Sequence, residues 1–156
     1  MIEIWPELVQ PSDKFLAYFA AAQERKREQE SKGGESPVVL VVDDEETLAN
    51  TTVEILNIAG FCAFVAYEGQ TALELAARLH PDILLTDVVM PGMNGVELAV
   101  AINKLLPMTR ILLISGQAGT IDLLEKVRMD GYSFDLVAKP IHPMKLIEHL
   151  NQLRNK

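Results

Sequence analysis

Residues 84–95, with the sequence LLTDVVMPGMNG, combine an apolar run, one carboxylate and a turn that no strand can continue through. The apolar residues before Asp87 have the length and character of a buried strand, and Pro91 and Gly92 interrupt that pattern soon after it. Asp87 is therefore predicted to lie at the carboxyl end of a strand inside the protein. In an open α/β sheet, ligands bind at the edge that these strand ends form.

Predicted strands and helices alternate on both sides of this segment. Residues 38–42, VVLVV, form a mostly β-branched run of the kind found in parallel strands that are covered on both faces. The predicted strands cover 38–42, 61–66, 83–86, 111–114 and 136–138, and the predicted helices cover 45–59, 71–79, 96–106, 121–129 and 144–153. Five such units predict an α/β fold with a doubly wound five-stranded parallel sheet, strand order 2-1-3-4-5 and helices on both faces.

The composition restricts the class of protein. The chain has 156 residues, of which 49% are hydrophobic, and a net charge of −8 at pH 7, so it has room for one globular domain with a short appendage. The negative charge argues against binding to nucleic acid or to an anionic membrane. The single cysteine, Cys62, cannot form an internal disulfide, and no apolar run reaches the length of about 18 to 20 residues that a membrane span needs. We predict a cytoplasmic protein.

Residues 1–36 differ from the rest of the chain. Phe15, Leu16 and Phe19 fall on one face of a predicted helix, which continues into a charged run and then a glycine-containing linker. We predict a helical extension with its linker over 1–36 and a domain over 37–156. The extension is expected either to lie on the domain or to extend into solvent. The alternative is a helix for dimerisation or partner docking, because so few apolar residues do not stabilise an isolated helix.

Polar side chains follow four of the predicted strands. Asp43 and Asp44 come after the first strand, Asp87 after the third, Ser115 after the fourth and Lys139 after the fifth. The parallel fold alone would bring these groups to one edge. Three carboxylates in one crevice repel each other unless a cation lies among them, and oxygen ligands without histidine or cysteine favour Mg²⁺. The set predicts a carboxylate nucleophile for a phosphoryl group, with a cation and a hydroxyl that stabilise the transferred charge.

This combination resembles the response-regulator receiver domain of two-component signalling systems, here a stand-alone receiver with an N-terminal extension. The resemblance extends from residue 38 to about residue 153 and includes the order Asp-x-x-Met-Pro-x-Met-x-Gly that starts at Asp87. It implies that Asp87 is the phosphoacceptor. It also implies a Mg²⁺ site made by Asp43 or Asp44 or both, by Asp87, and by the backbone carbonyl of Val89.

The resemblance also implies roles for Ser115 and Lys139 and a set of partners. Ser115 would be the switching hydroxyl and Lys139 the phosphate-binding cation, with a cis peptide bond before Pro140. The phosphoryl group would come from a histidine kinase or a phosphotransfer protein. A downstream protein would bind the usual signalling face, here residues 121–153, and a homodimer could form through that face or through residues 1–36.

Two features depart from the family pattern. Receiver domains usually place Tyr or Phe three residues before the lysine, where this chain has Leu136. An aliphatic side chain cannot give the rotamer change by which the aromatic ring is coupled to the hydroxyl. Phe134 is a candidate substitute, expected on the same side of the strand as Leu136. Val89 and Gln117 occupy positions that influence hydrolysis of the acyl phosphate, and the apolar Val89 predicts slow self-dephosphorylation.

Two other functions stay open at this stage. Phosphatases of the haloacid-dehalogenase type also use an aspartate nucleophile, Mg²⁺, a hydroxyl and a lysine. Their nucleophile lies on the first strand in an Asp-x-Asp motif, whereas here the acidic pair comes first and Asp87 follows the third strand. The other alternative is a receiver-like interaction module that does not take phosphate, which the aliphatic Leu136 leaves open.

Overall fold

The structure is a computed structural model, and it describes residues 13–31, 36–116 and 120–155 of the chain. The helices are α1 (Asp13–Ser31), α2 (Glu46–Ile58), α3 (Gly69–Leu79), α4 (Gly95–Leu105), α5 (Thr120–Met129) and α6 (Pro143–Arg154). The strands are β1 (Val38–Val42), β2 (Cys62–Ala66), β3 (Ile83–Asp87), β4 (Arg110–Ser115) and β5 (Asp135–Ala138). Gln117 lies outside the described residues.

The five strands form one parallel sheet in the order β2-β1-β3-β4-β5, which confirms the predicted topology. Val42 of β1 pairs with Thr86 of β3, and Ser115 of β4 pairs with Ala138 of β5. The carboxyl ends of these strands are therefore level with one another, and the residues that follow them share one edge of the sheet.

Helices cover both faces of the sheet, as predicted, and alternate residues of β1 contribute to each face. Val39 and Val41 pack with Leu56 of α2 and Leu150 of α6. The residues of β1 that point to the other face pack against α3 and α4, and every residue of β1 is buried. Two apolar layers therefore hold the central strands rigidly. Cys62 lies in the second of these layers, as expected of a core residue.

The predicted element boundaries shift at the turn after β3. The third strand extends one residue further than predicted, so that Asp87 is its last residue and pairs with Ile114. Helix α4 begins at Gly95 because the side chains of Asn94 and Glu97 each accept a hydrogen bond from the other's backbone N–H, at 2.8 and 3.0 Å. This reciprocal capping satisfies two N–H groups that would otherwise lack partners at the helix start.

Helix α1 lies against the domain. Tyr18 is half-buried and Ala22 is buried, and both pack against the layer formed by α3 and α4. Leu16, one of the predicted apolar residues, is 42% exposed and therefore does not lie at the centre of this contact. The side chains of Phe15 and Phe19 fall outside the part of the chain that the structure describes. Among the described helices, none combines the length and apolar character needed to cross a bilayer.

Side chains from α1 and α2 form hydrogen bonds with the backbone groups on the outer edge of β2. The hydroxyl of Tyr18 accepts a hydrogen bond from the N–H of Val65 at 2.7 Å, and the guanidinium of Arg25 donates to the carbonyl of Ala63 at 3.2 Å. The N–H of Ala63 donates to the side chain of Asn57 at 2.8 Å. Edge strands whose backbone groups are open invite pairing with other chains. Here α1 and α2 close that edge.

Candidate functional site

Backbone hydrogen bonds hold the strand ends in place beyond the sheet itself. The N–H of Asp43 donates to the carbonyl of Ala66 at 3.2 Å, and the N–H of Lys139 donates to the carbonyl of Ser115 at 2.9 Å. Asp87 is still part of β3. The side chains of these residues therefore project from a rigid frame and not from mobile loops.

Three carboxylates meet at this edge. Asp43, Asp44 and Asp87 each offer an oxygen within 4.8 Å of those of the other two. Asp43 is buried, Asp87 is partly buried and Asp44 is exposed. The acidic pair does not act as the cap of α2, because the N-cap is Glu45 and has no side-chain cap bond. Instead Asp43 accepts a hydrogen bond from the N–H of Glu45 at 3.0 Å, which directs its other oxygen toward the site.

Lys139 is the cation that faces these carboxylates. Its Nζ lies 3.3 Å from Oδ1 of Asp87 and 3.4 Å from Oδ2 of Asp43. Burial lowers the pKa of Lys139, but the two carboxylates outweigh it and hold the pKa above its ordinary value. Lys139 therefore stays charged throughout the physiological range. The Lys139–Pro140 peptide bond is cis, as the resemblance implied.

The contact of Asp87 with Lys139 does not fully offset the cost of placing its negative charge in a partly buried position beside Asp43. Burial raises the pKa of its carboxyl, Lys139 lowers it and the neighbouring Asp43 raises it again, and the pKa ends above its ordinary value. A carboxylate that is repelled in this way is stabilised when a cation binds beside it, and the repulsion falls when one of its oxygens is esterified. Both are conditions for a nucleophile that acts beside a bound cation.

The turn after β3 depends on Gly95. A Cβ atom at this position would overlap the carbonyl oxygen of Asp87, and the N–H of Gly95 donates to the carbonyl of Val88 at 2.8 Å. Only glycine allows so close an approach without moving Asp87. Gly95 was part of the sequence motif, but its packing role needed the tertiary structure. Val89 lies in this turn and is 51% exposed, and its role as a carbonyl ligand stays a prediction.

The model of the family described as "Response regulator receiver domain" matches residues 39–151. This chain belongs to that family. The match includes β2 to β5, all of β1 except Val38, and all the residues predicted to form the site. The extension that contains α1 lies outside it.

Named relatives of this receiver support the assignment. It is 31% identical over 101 residues to the chemotaxis protein CheY of Thermotoga maritima, and this match covers 64% of this chain and 82% of that protein. It is 38% identical over 78 residues to the sensor kinase/phosphatase LuxN of Vibrio campbellii, where the match covers 49% of this chain but only 9% of LuxN. It also spans 43% of the DNA-binding response regulator MtrA of Mycolicibacterium smegmatis, at 30% identity over 101 residues or 65% of this chain. The receiver is thus a small part of some relatives.

Solved structures show the same fold. The chemotaxis response regulator CheY4 of Vibrio cholerae superimposes with a TM-score of 0.66 at 26% identity, covering 76% of this chain and 98% of that one. The receiver domain of the Francisella response regulator 1452 does so with a TM-score of 0.66 at 28% identity, covering 78% of this chain and 100% of that one. The receiver fold is shared, and α1 precedes the residues that the family model matches.

The structure adds one residue that the sequence did not suggest. The hydroxyl of Ser115 hydrogen-bonds the hydroxyl of Thr120 at 2.6 Å, and both residues are buried. Leu136 is 37% exposed. Phe134, the predicted substitute for the family's aromatic residue, packs against the core layer of α3 and α4. Thr120 could not be found from the sequence because the motif ends before it.

Proposed function

We propose that Asp87 accepts a phosphoryl group from the phosphohistidine of a kinase or phosphotransfer protein, and that this modification changes a surface for a downstream protein. Receivers of this family are the phosphorylated switches of two-component signalling. One observation carries the proposal for this chain: the carboxylate of Asp87 lies 3.3 Å from Lys139 at the edge where Asp43 and Asp44 also converge. That is the environment a phosphoryl acceptor needs.

The three carboxylates suit Mg²⁺ as a resident metal. The cluster holds only oxygen ligands, and one of its members, Asp43, is buried with Lys139 as its counter-charge. Hard cations that prefer oxygen, above all Mg²⁺, fit such a set. Asp43, Asp44, Asp87 and the carbonyl of Val89 would hold the ion. When bound, it would neutralise charge on the phosphoryl oxygens.

The transfer itself forms one bond and breaks one. A carboxylate oxygen of Asp87 attacks phosphorus, the bond between phosphorus and the imidazole nitrogen of the donor breaks, and that nitrogen keeps the electron pair. Lys139 places its ammonium beside the oxygens that carry the charge, and Ser115 can donate a directed hydrogen bond to one of them. The buried strands that carry these groups hold them in position without a conformational search.

The surface next to the site can serve as the output. Ile121 is 62% exposed, Met144 is 63% exposed and Leu136 is 37% exposed, all within residues 121–153. Large apolar side chains that are exposed on these elements would supply apolar contacts to a protein partner. We assign the downstream protein to this face. A homodimer through the same face or through residues 1–36, the division into 1–36 and 37–156, and a cytoplasmic location all stay predictions.

Intact-mass measurement with acetyl phosphate and Mg²⁺ tests the proposal. The wild-type chain should gain one phosphoryl group, and Asp87→Asn should gain none because the amide is not a nucleophile. Asp130→Asn, which changes an exposed aspartate directly after α5, is the matched control and should gain one group as the wild type does. Removal of Mg²⁺ with a chelator should abolish the gain.

The same measurement separates the alternatives. If no condition produces a phosphorylated chain, the protein is a receiver-like module without phosphotransfer. If small phosphate esters are hydrolysed over many turnovers, it is a phosphatase instead. A single stable addition supports the switch. Because Val89 cannot orient an attacking water through its side chain, the phosphoryl group should persist for minutes or longer, and a lifetime of seconds would contradict this expectation.

A further inference from the structure

A buried hydrogen bond joins the end of β4 to the start of α5. The Oγ of Ser115 and the Oγ1 of Thr120 are 2.6 Å apart, and either hydroxyl can be the donor. Ser115 is the last residue of β4 and Thr120 is the first residue of α5. They are 6% and 2% exposed, so water competes little for either group. A short bond between two buried hydroxyls is a real constraint on both side chains.

We propose that this hydrogen bond is the latch through which phosphorylation of Asp87 reaches α5. Ser115 bonds Thr120 while Asp87 is unmodified, and releases it when Asp87 carries a phosphoryl group. The inference rests on the proposed function and goes beyond it by naming Thr120 as the residue that receives the signal. Thr120 is a positioning residue, since it acts on the output helix and not on the reacting atoms.

The release follows from competition for one hydroxyl. Asp87 and Ser115 are the last residues of the neighbouring strands β3 and β4, so Ser115 lies at the same edge of the sheet as a phosphoryl group on Asp87. That group carries a charge of about −1.5 to −2 at neutral pH. Hydrogen bonds to charged acceptors are about twice as strong as neutral ones. Ser115 has a single hydrogen to donate, and in the proposed latch it donates that hydrogen to Thr120 before phosphorylation and to the phosphoryl oxygen afterwards.

Thr120 is placed so that this loss disturbs α5. A buried hydroxyl without its partner is costly, so the first turn of the helix moves or opens until the hydroxyl finds another one. Leu124 and Val127 hold the inner side of the helix on the core, while Ile121 and Leu123 are exposed on the outer side. A change at Thr120 therefore alters how α5 presents its exposed apolar residues to a partner.

The residues that usually transmit this signal are poorly suited to do so here. Leu136 has no ring that could swing into space left by a moving hydroxyl. Phe134 stacks on Tyr132, with ring centroids 6.0 Å apart, and packs against the core layer of α3 and α4. A direct bond from Ser115 to α5 supplies the coupling that the aromatic ring would otherwise give.

Hydrogen exchange of the amides in α5 tests the latch in the full chain. In the wild type, phosphorylation with acetyl phosphate and Mg²⁺ should raise exchange in residues 120–129 by about two- to tenfold, the effect of losing one ordinary hydrogen bond. Thr120→Val removes the hydroxyl and keeps the shape. Its exchange should already be raised before phosphorylation and should change little afterwards. Thr120→Ser keeps a hydroxyl and should restore the wild-type response.

Phosphorylation itself gives a second readout. In Thr120→Val the Ser115 hydroxyl no longer has to break its hydrogen bond to Thr120, so the phosphorylated fraction at limiting acetyl phosphate should rise by about two- to tenfold. Thr120→Ala serves in its place if the valine variant does not fold. If Thr120 only stabilised the fold, Thr120→Val would leave the phosphorylated fraction unchanged.

Thr109→Val is the matched control. Thr109 is also buried, just before β4 at the opposite end of the strand, and its hydroxyl donates to the carbonyl of Pro81 at 2.7 Å. Loss of this hydrogen bond should lower the free energy of unfolding. The increase in hydrogen exchange of α5 on phosphorylation should stay as in the wild type. The latch is wrong if phosphorylated Thr120→Val shows the full wild-type change in α5. If the wild type gains no phosphoryl group, the proposed function fails, and the latch fails with it.

Discussion

The two edges of the sheet differ in how far their residues are buried and bonded by side chains from other elements. At the β2 edge, four of the five strand residues are buried, and side chains from α1 and α2 bond the outward backbone groups of Ala63 and Val65. At the β5 edge, three of the four strand residues are exposed. Side chains therefore cover the edge away from the proposed output surface, whereas most side chains of the strand beside that surface are exposed. The contacts that cover one edge and the proposed output surface lie on opposite sides of one sheet.

The largest expected contrast is between Phe64 and Leu136. Phe64 of β2 is 0% exposed and Leu136 of β5 is 37% exposed. Phe64→Ala should cost about 3 to 5 kcal/mol of unfolding free energy, because it removes a ring from a filled core. Leu136→Ala should cost about 1 kcal/mol or less, as surface substitutions do. Urea unfolding followed by circular dichroism measures both, and equal costs would mean that the edges do not differ as described.

Arg25 and Arg27 test whether α1 contributes to the closed edge. The guanidinium of Arg25 lies 4.8 Å from the ring centroid of Phe64 and bonds Ala63. Arg25→Ala should therefore lower the unfolding free energy by about 1 to 2 kcal/mol. Arg27 lies on the same helix, where it forms an exposed pair with Glu24 at 3.8 Å and an exposed hydrogen bond to Gln23 at 3.5 Å. Arg27→Ala should change stability by about 0.5 kcal/mol or less.

If the two arginine variants unfold alike, α1 does not hold the edge of β2. The pair is well matched because both changes remove one positive charge from one helix. A difference in their unfolding midpoints therefore reports the contact with the strand and not the change in net charge.

The smallest expected effect is a response to alkaline pH at the same edge. Burial raises the pKa of Tyr18 above its ordinary value of 10.0. A phenol with a higher pKa in the folded state contributes stability that is complete below the unfolded pKa and is lost as pH rises through the folded one. The wild type should therefore lose stability relative to Tyr18→Phe as pH rises above about 10. The difference between the two thermal midpoints at pH 8 and pH 11 measures it, and a constant difference would contradict the burial of Tyr18.

The sequence predicted most of the fold because the central strands consist mainly of apolar residues, which require burial. The runs at 38–42 and 83–87 are apolar enough to need cover on both faces, and the intervening helices provide it. Elements with this much local agreement leave few alternative topologies. The predicted boundaries differ from those of the structure by one or two residues at several strands and helices, and the start of α3 shows why. Gly69 begins α3 two residues earlier than predicted, and a Cβ atom there would lie 2.9 Å from the Cβ of Met93, so that end is tightly packed by a residue distant in sequence.

The site was partly predictable for a related reason. Asp43, Asp87, Ser115 and Lys139 each follow an apolar run, and parallel strands bring their carboxyl ends together whatever the separation in sequence. The ion pairs of Lys139 with two carboxylates needed coordinates, because side-chain direction and distance depend on packing.

The sequence by itself determined a parallel sheet with an acidic edge, because hydrophobic pattern and strand ends are local properties of the chain. The tertiary structure alone decided two further features: the docking of Tyr18 and Arg25 on β2, and the bond between Ser115 and Thr120. Both join groups that no periodicity relates. Hydrogen bonds require a distance and an angle, and these exist only once the separate elements have packed together.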